Sequence, residues 1–269
     1  MTKKENSSFI SFPNQLAGVI MDDSNHELYP IKYYNVIDGI GLKPNSDYSY
    51  YIYMYSGVAN LNSAGRGPQI LNEGMFASIH GEFSLDCYDS KESKAIVIEV
   101  ICDKGVYAED EYSAYFLLGG PLEDKGRLKY IDGCTDSLLL APVKKGNPCF
   151  NHLHFPENID QTQHTHPTHR IGMVTSGYGE CITPFGKLPL TKDMIFVIKE
   201  WDGKSYSIGL DGREYPHGQH AFKTYSEKMN VVAFHPDSDF GATDEVHPMI
   251  NRTIVDGKSA SEIEEIRTK

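Results

Sequence analysis

The chain contains no apolar run approaching the roughly 20 residues of a membrane span, and no cluster of lysine and arginine. Its first fifteen residues, MTKKENSSFISFPNQ, lack the apolar core of a secretory signal. With 25 basic residues against 37 acidic ones the formal charge is −12. Nucleic acid and anionic membrane surfaces are poor partners for such a chain, and a cytoplasmic protein is expected. Cysteine is sparse. The five present (Cys87, Cys102, Cys134, Cys149, Cys181) are odd in number and show no CxxC spacing, which argues for free thiols rather than a disulfide framework or a zinc knuckle. The dinucleotide fingerprint, the P-loop and the G-x-S-x-G elbow are also missing.

The segments that remain read mostly as strands. Residues 49–54 (SYYIYM), 94–102 (KAIVIEVIC), 137–140, 171–175, 194–198 and 231–235 are rich in β-branched and aromatic side chains, and Gly, Pro, Asn and Asp separate them. An all-β fold follows. The one clear helical signal is a short C-terminal helix, where Ser261 and Glu264 can form a capping box around Ile263 and Ile266. At 269 residues the chain can bury one large β core or two smaller ones.

A weak internal repeat favours two. YSGVANLN (55–62) followed by EGMFASI (73–79) echoes TSGYGEC (175–181) followed by KDMIFVI (192–198). Gly57 and Met75 are 18 positions apart, Gly177 and Met194 are 17 apart, and each copy reads as a strand, a Ser-Gly turn and a second strand. The Gly- and charge-rich stretch 119–133 is the natural connection, which divides the chain into 1–125 and 126–269.

The second copy carries the chemistry. In IDQTQHTHPTHR (159–170), His164 and His166 are separated by one residue, so on a strand both imidazoles share a face and reach one ion. The third ligand must come from elsewhere. His220, in PHGQHAF (216–222), precedes the strand MNVVAFHP (229–236) and is preferred to its rival His217. Neutral imidazoles suit a divalent metal such as Fe, Zn or Ni, and Mn less strongly.

At this point the chain resembles the cupin superfamily. The first motif of that family, G-x5-H-x-H-x(3–4)-E-x6-G, is matched in spacing by His164, His166, position 170 and Gly177. The opening glycine is replaced by Asn158 and the glutamate by Arg170. The second motif, P-x-G-x-x-H-x-x-x-N, is met loosely by Pro216, Gly218 and His220, behind an insertion around 201–215. The resemblance implies two double-stranded β-helix barrels. The offsets that lead from Gly177 to His164, His166 and Arg170 lead from Gly57 to Pro44, Ser46 and Tyr50. The first barrel is therefore expected to be a structural or dimerising copy without metal.

Arginine cannot ligate, so Arg170 leaves three neutral histidines and open positions on the metal. The arrangement resembles the three-histidine cupin dioxygenases, which implies Fe(II) as the cofactor, with Mn, Zn or Ni as alternatives in an isomerase, lyase or hydrolase. A small-molecule-binding cupin without turnover is the third reading. Arg170 is the expected catalytic residue, either offering a bidentate fork to a small anionic molecule or turning away into a salt bridge. Gln163 and His154 are expected to help bind that substrate, while His169 is expected beside the site or facing solvent. His152 and His154 repeat the H-x-H spacing, so either could face inward, with ligation as an alternative to lining the pocket, while His235 and His247 flank a polar segment expected to cross the surface or a subunit partner, or to form a lid. Pairing into a homodimer and pairing of the chain's own two barrels both remain open, since either covers exposed strand edges.

Overall fold

A computed structural model of the chain describes residues 3–39, 41–87, 92–126, 128–142, 144–238, 254–259 and 262–263. The strand Lys94–Val100 shows how the first half is organised, because it is apolar on both faces and buried on both. Ile96, Ile98 and Val100 join one cluster with Tyr51, Tyr53 and Tyr55, whereas Ala95 and Val97 join another with Tyr50, Ile52 and Met54. A strand with two buried faces belongs in the middle of a sheet. Here the order is Leu117–Gly119, Phe76–His80, Ser49–Ser56, Lys94–Val100, Ile31–Ile37 and Gly18–Asp23, with every neighbour antiparallel. A three-stranded sheet (Arg66–Asn72, Val58–Ser63, Phe83–Cys87) closes over the Val97 side with Ala59, Leu61, Leu71 and Leu85, which completes a first barrel.

The second barrel repeats the plan. Its main path runs Lys4–Glu5, Phe9–Phe12, Ile195–Ile198, Arg170–Thr183, Met229–His235, Cys149–Phe155, Thr135–Leu140, Leu128–Lys129. Gly186–Thr191 and Ala221–Lys223 pair with the far half of Arg170–Thr183. Leu153, Phe155, Val174, Phe196, Val231 and Ala233 fill the interior. The alternate residues Phe150, Ile171, Met173, Val232 and Phe234 point the other way, into the cluster that Tyr51 and Ile98 enter from the first barrel. The two barrels thus pack sheet against sheet through one apolar layer, in which the Tyr51 and Phe234 rings meet edge to face at 5.0 Å. The chain leaves the first sheet after Gly119 and enters the second at Leu128, yet its opening strands pair with Ile195–Ile198 in the second.

The repeat read from the sequence is present in hydrogen bonds. Met54 N donates to Met75 O (2.9 Å) and Gly74 N to Met54 O (2.8 Å). In the second copy Val174 N donates to Met194 O (3.0 Å) and Asp193 N to Val174 O (2.8 Å). Gly57 and Gly177 both have positive φ, 71° and 77°. In one respect the copies differ from expectation. Gly177 does not end its strand, which continues as a single run of 14 residues, Arg170–Thr183. The register shifts between Val174 and Ser176, and the bend hands the strand from one wall of the barrel to the other. His164 and His166 also do not lie on a continuous strand: only an isolated bridge forms at His164, and Pro167, with no N–H to donate, follows at once. One helix of five residues, Gly105–Glu109, was not anticipated. Ser261, Glu264 and Ile266 of the expected C-terminal helix lie outside the described residues, as does His247.

A Cβ on Gly177 would lie 1.8 Å from Lys228 O, at a φ of +77°. Gly203 has a similar φ of +82° but nothing within 4 Å. Gly177→Ala is therefore expected to destabilise the chain by about 2–4 kcal/mol, against about 1 kcal/mol for Gly203→Ala. Urea unfolding of the two variants measures the difference, and equal midpoints would contradict the close approach.

Candidate metal centre

Two stretches of chain, one carrying His164 and His166 and the other His220, converge in the second barrel. His164 and His220 face each other across a closed pair of backbone hydrogen bonds, each N donating to the other's carbonyl at 2.9 Å. Their ring centroids are 4.4 Å apart, and the His166 ring lies 5.0 Å from one and 5.2 Å from the other. The ligating nitrogens of all three lie within 4.8 Å of one another, a group that can hold a metal ion. His164 Nδ1 donates to Thr162 O (2.8 Å) and His220 Nδ1 to Gly218 O (2.8 Å). A carbonyl only accepts, so these contacts put the proton on Nδ1 and leave the Nε2 lone pair for an ion, as in most histidine-ligated metal sites. Among the described residues no carboxylate joins the group.

Burial keeps His166 and His220 neutral. It lowers the pKa of His220 to about 3, with His164 contributing next, and it lowers that of His166 further still, helped by the Arg170 charge. Neutral imidazole is the form that binds metal.

Beside the histidines is a narrow cleft with about 30 Å³ of free volume, lined by His166, His220, Arg170, His235 and Tyr130 together with Leu153, Phe196, Phe222 and Val231. Arg170 is half-committed. Its Nη1 donates to Asp237 Oδ1 (3.2 Å), Thr168 O (3.3 Å), His169 O (3.3 Å) and the Thr168 hydroxyl, which itself donates to Asp237. Its Nε is buried with no partner. Arg170 thus forms the ion pair that one sequence reading expected, and it also lines the cleft.

Solved structures share this architecture. A glyoxylate-induced protein from Pseudomonas aeruginosa superimposes with a TM-score of 0.60 at 9% identity, covering 92% of this chain and 95% of that one. The bicupin architecture is the common feature. The chain has the bicupin fold. The E. coli protein Ylba matches with a TM-score of 0.57 at 12% identity over 89% of this bicupin and 95% of its own length. Salicylate 1,2-dioxygenase from Pseudaminobacter salicylatoxidans matches with a TM-score of 0.52 at 8% identity over 77% and 71%. No family model and no curated protein matches the sequence. At such identities the likeness is one of fold.

Within the bicupin, His164, His166, His220 and Arg170 come together, and the rest of the expected set does not. His217 is held away by its Nε2 contact with Ser207 Oγ at 2.7 Å. His154 lies on the far face of its strand, opposite Asn230, and its Nδ1 meets Asn230 Oδ1 at 2.8 Å. The interior positions of that strand are the odd-numbered Leu153 and Phe155, so a histidine at 154 cannot reach the cleft. Gln163 is exposed and spends its Nε2 on Ile182 O (3.0 Å), because the loop carrying it turns the even-numbered histidines inward instead. Cys102, Cys134, Cys149 and Cys181 are free thiols, as expected.

Two polar lining groups, His235 and Tyr130, were missed, and so was Asp237, which pairs with Arg170. His235 follows Val231 and Ala233 at strand alternation, a legible signal that the neighbouring polar segment obscured. Burial and the Arg170 charge push its pKa down. Tyr130 and Asp237 come from irregular segments, and nothing in their spacing announces them.

The metal-free chain carries a pH signature. His220 titrates near 3 when folded and near 6.5 in an open chain, so below pH 6.5 the unfolded state binds the extra proton. Its contribution to stability is fully present above pH 6.5 and falls as the pH drops towards 3. Urea unfolding between pH 7 and 4.5 is expected to show stability declining with acid. His220→Gln is expected to reduce the slope by up to about one proton. An unchanged slope would contradict the buried neutral state.

Proposed function

We propose that this bicupin is a metal-dependent enzyme, a non-haem iron(II) dioxygenase acting on a small anionic metabolite. One observation carries the reading: a three-histidine group, joined by no carboxylate among the described residues, has two of its members lining a cleft that is also lined by an arginine with an unpartnered Nε. Such a ligand set leaves the positive charge of a divalent ion uncompensated, which favours an anionic substrate in the same cleft. When bound, iron(II) supplies adjacent coordination positions for substrate and dioxygen.

The side chains do the rest. Arg170 Nε, buried and without a partner, is the donor left to bond a carboxylate oxygen while Nη1 stays on Asp237, which holds the guanidinium plane in place. Leu153, Phe196, Phe222, Val231 and Ala233 give the cleft apolar walls. Gly172 makes room there, since a Cβ at that position would lie 2.5 Å from the Phe196 ring. Salicylate 1,2-dioxygenase, named for the same class of reaction, is built on the same fold.

Elemental analysis of protein purified anaerobically without added metal is the first test, with His166→Ala as the control. Roughly one iron per chain, absent from the variant, is expected, and carboxylates are then screened for dioxygen uptake. Manganese, zinc or nickel at that ratio would favour a Lewis-acid isomerase, lyase or hydrolase. Anion binding without turnover would favour a binding module. With a substrate in hand, Arg170→Gln is expected to raise KM by about tenfold or more at unchanged metal content, the loss of a charge-assisted contact. An unchanged KM would remove Arg170 from substrate recognition.

A further inference from the structure

The third ligand sits in the least regular part of the site. His220 follows an insertion and precedes a strand of only three residues, Ala221–Lys223, so its own segment offers little to fix it. A strap from the start of the chain supplies the support. Asn6 Oδ1 accepts hydrogen bonds from Ser8 N (2.7 Å) and Phe9 N (3.0 Å), which shapes a turn that feeds Phe9–Phe12 into the second barrel's sheet. Ser8 is fully buried beneath it. The Ser8 hydroxyl donates to Gln219 O (2.7 Å), its carbonyl accepts from Lys199 N (2.8 Å), and Ser7 O accepts from Gly218 N (3.0 Å).

Both sides of the Gly218–Gln219 pair are therefore tied to the strap, and Gly218 O is the acceptor that orients His220 Nδ1. The fit leaves no slack: a Cβ on Gly218 would lie 2.2 Å from Lys199 O.

We propose that Ser7 and Ser8 are positioning residues of the metal centre, holding the Gly218–Gln219 peptides so that the Gly218 carbonyl fixes the His220 ring for the ion. The amino-terminal strap of the chain thereby completes a site whose ligands all lie more than 150 residues further on. The inference rests on the reading of His220 as a ligand. Partners that orient metal-bound histidines typically change affinity by about 10–100-fold when removed.

The test is equilibrium dialysis of the full chain against nickel(II), counting bound metal, alongside the melting temperature with and without nickel. Ser8→Ala is expected to weaken nickel binding about tenfold and to shrink the nickel-induced rise in melting temperature. Glu5→Gln is the control. It removes the 2.7 Å contact to Lys199 Nζ on the same strap without touching residues 218–219, and it is expected to leave affinity within about twofold. If Ser8→Ala does not fold, Asn6→Ala, which undoes the turn, is expected to weaken binding several-fold. Unchanged affinity in the folded serine or asparagine variant, or an equal loss in Glu5→Gln, overturns the role of the strap. A wild-type chain that takes up no nickel overturns instead the reading of the histidines on which the strap depends.

Discussion

The central strands of the two sheets that face each other bury both of their faces, and that constraint organises the rest. In Lys94–Val100 and Ser49–Ser56, alternate residues serve the interior of the first barrel and the layer between barrels. Cys149–Phe155 and Met229–His235 do the same in the second. A polar side chain on such a strand has no water to turn to and must find a partner inside. His154 finds Asn230, and Glu99 finds two tyrosines. The shared apolar layer also makes the two barrels one folding problem, since neither can expose Tyr51, Ile98, Phe150 or Phe234 to solvent without losing most of the burial that stabilises it.

The same frame holds opposite contents in its two copies. Tyr50 stands where the repeat places Arg170, and Glu99, opposite Tyr50, stands where it places His235. In the first barrel Glu99 is buried, accepts from Tyr50 Oη (3.0 Å) and Tyr34 Oη (3.3 Å), and has Lys32 at 3.7 Å. These groups satisfy one another and fill the space. In the second barrel a cation and a neutral histidine occupy the matching places, and a cleft remains between them and the three-histidine group. A filled polar plug in one copy and a buried donor without a partner in the other is the physical difference between the two barrels among the described residues.

The metal centre itself draws on distant pieces. His164 and His166 come from a loop, His220 from the end of an insertion, and the amino-terminal strap braces the last of these from across the sequence. Asp237, just beyond the strand that ends in His235, holds one side of Arg170. None of these segments is regular enough to fix a side chain alone, and the rigid walls of the barrel behind them provide the reference frame.

Much of this was legible in the residues. Apolar strands cut by Gly and Pro specify an all-β chain, the Ser-Gly pairs at 56–57 and 176–177 specify the repeat, and His164 with His166 mark where a metal could be held, because each of these depends only on neighbours in sequence. The direction in which His154 and Gln163 point was not legible, since it turns on the parity of a strand whose bulge and register are set by its partners. The hold of Asp237 on Arg170 and the strap at Ser8 are contacts between residues far apart in the chain. Such contacts exist only once packing has brought the segments together, and for that reason the tertiary structure alone decided them.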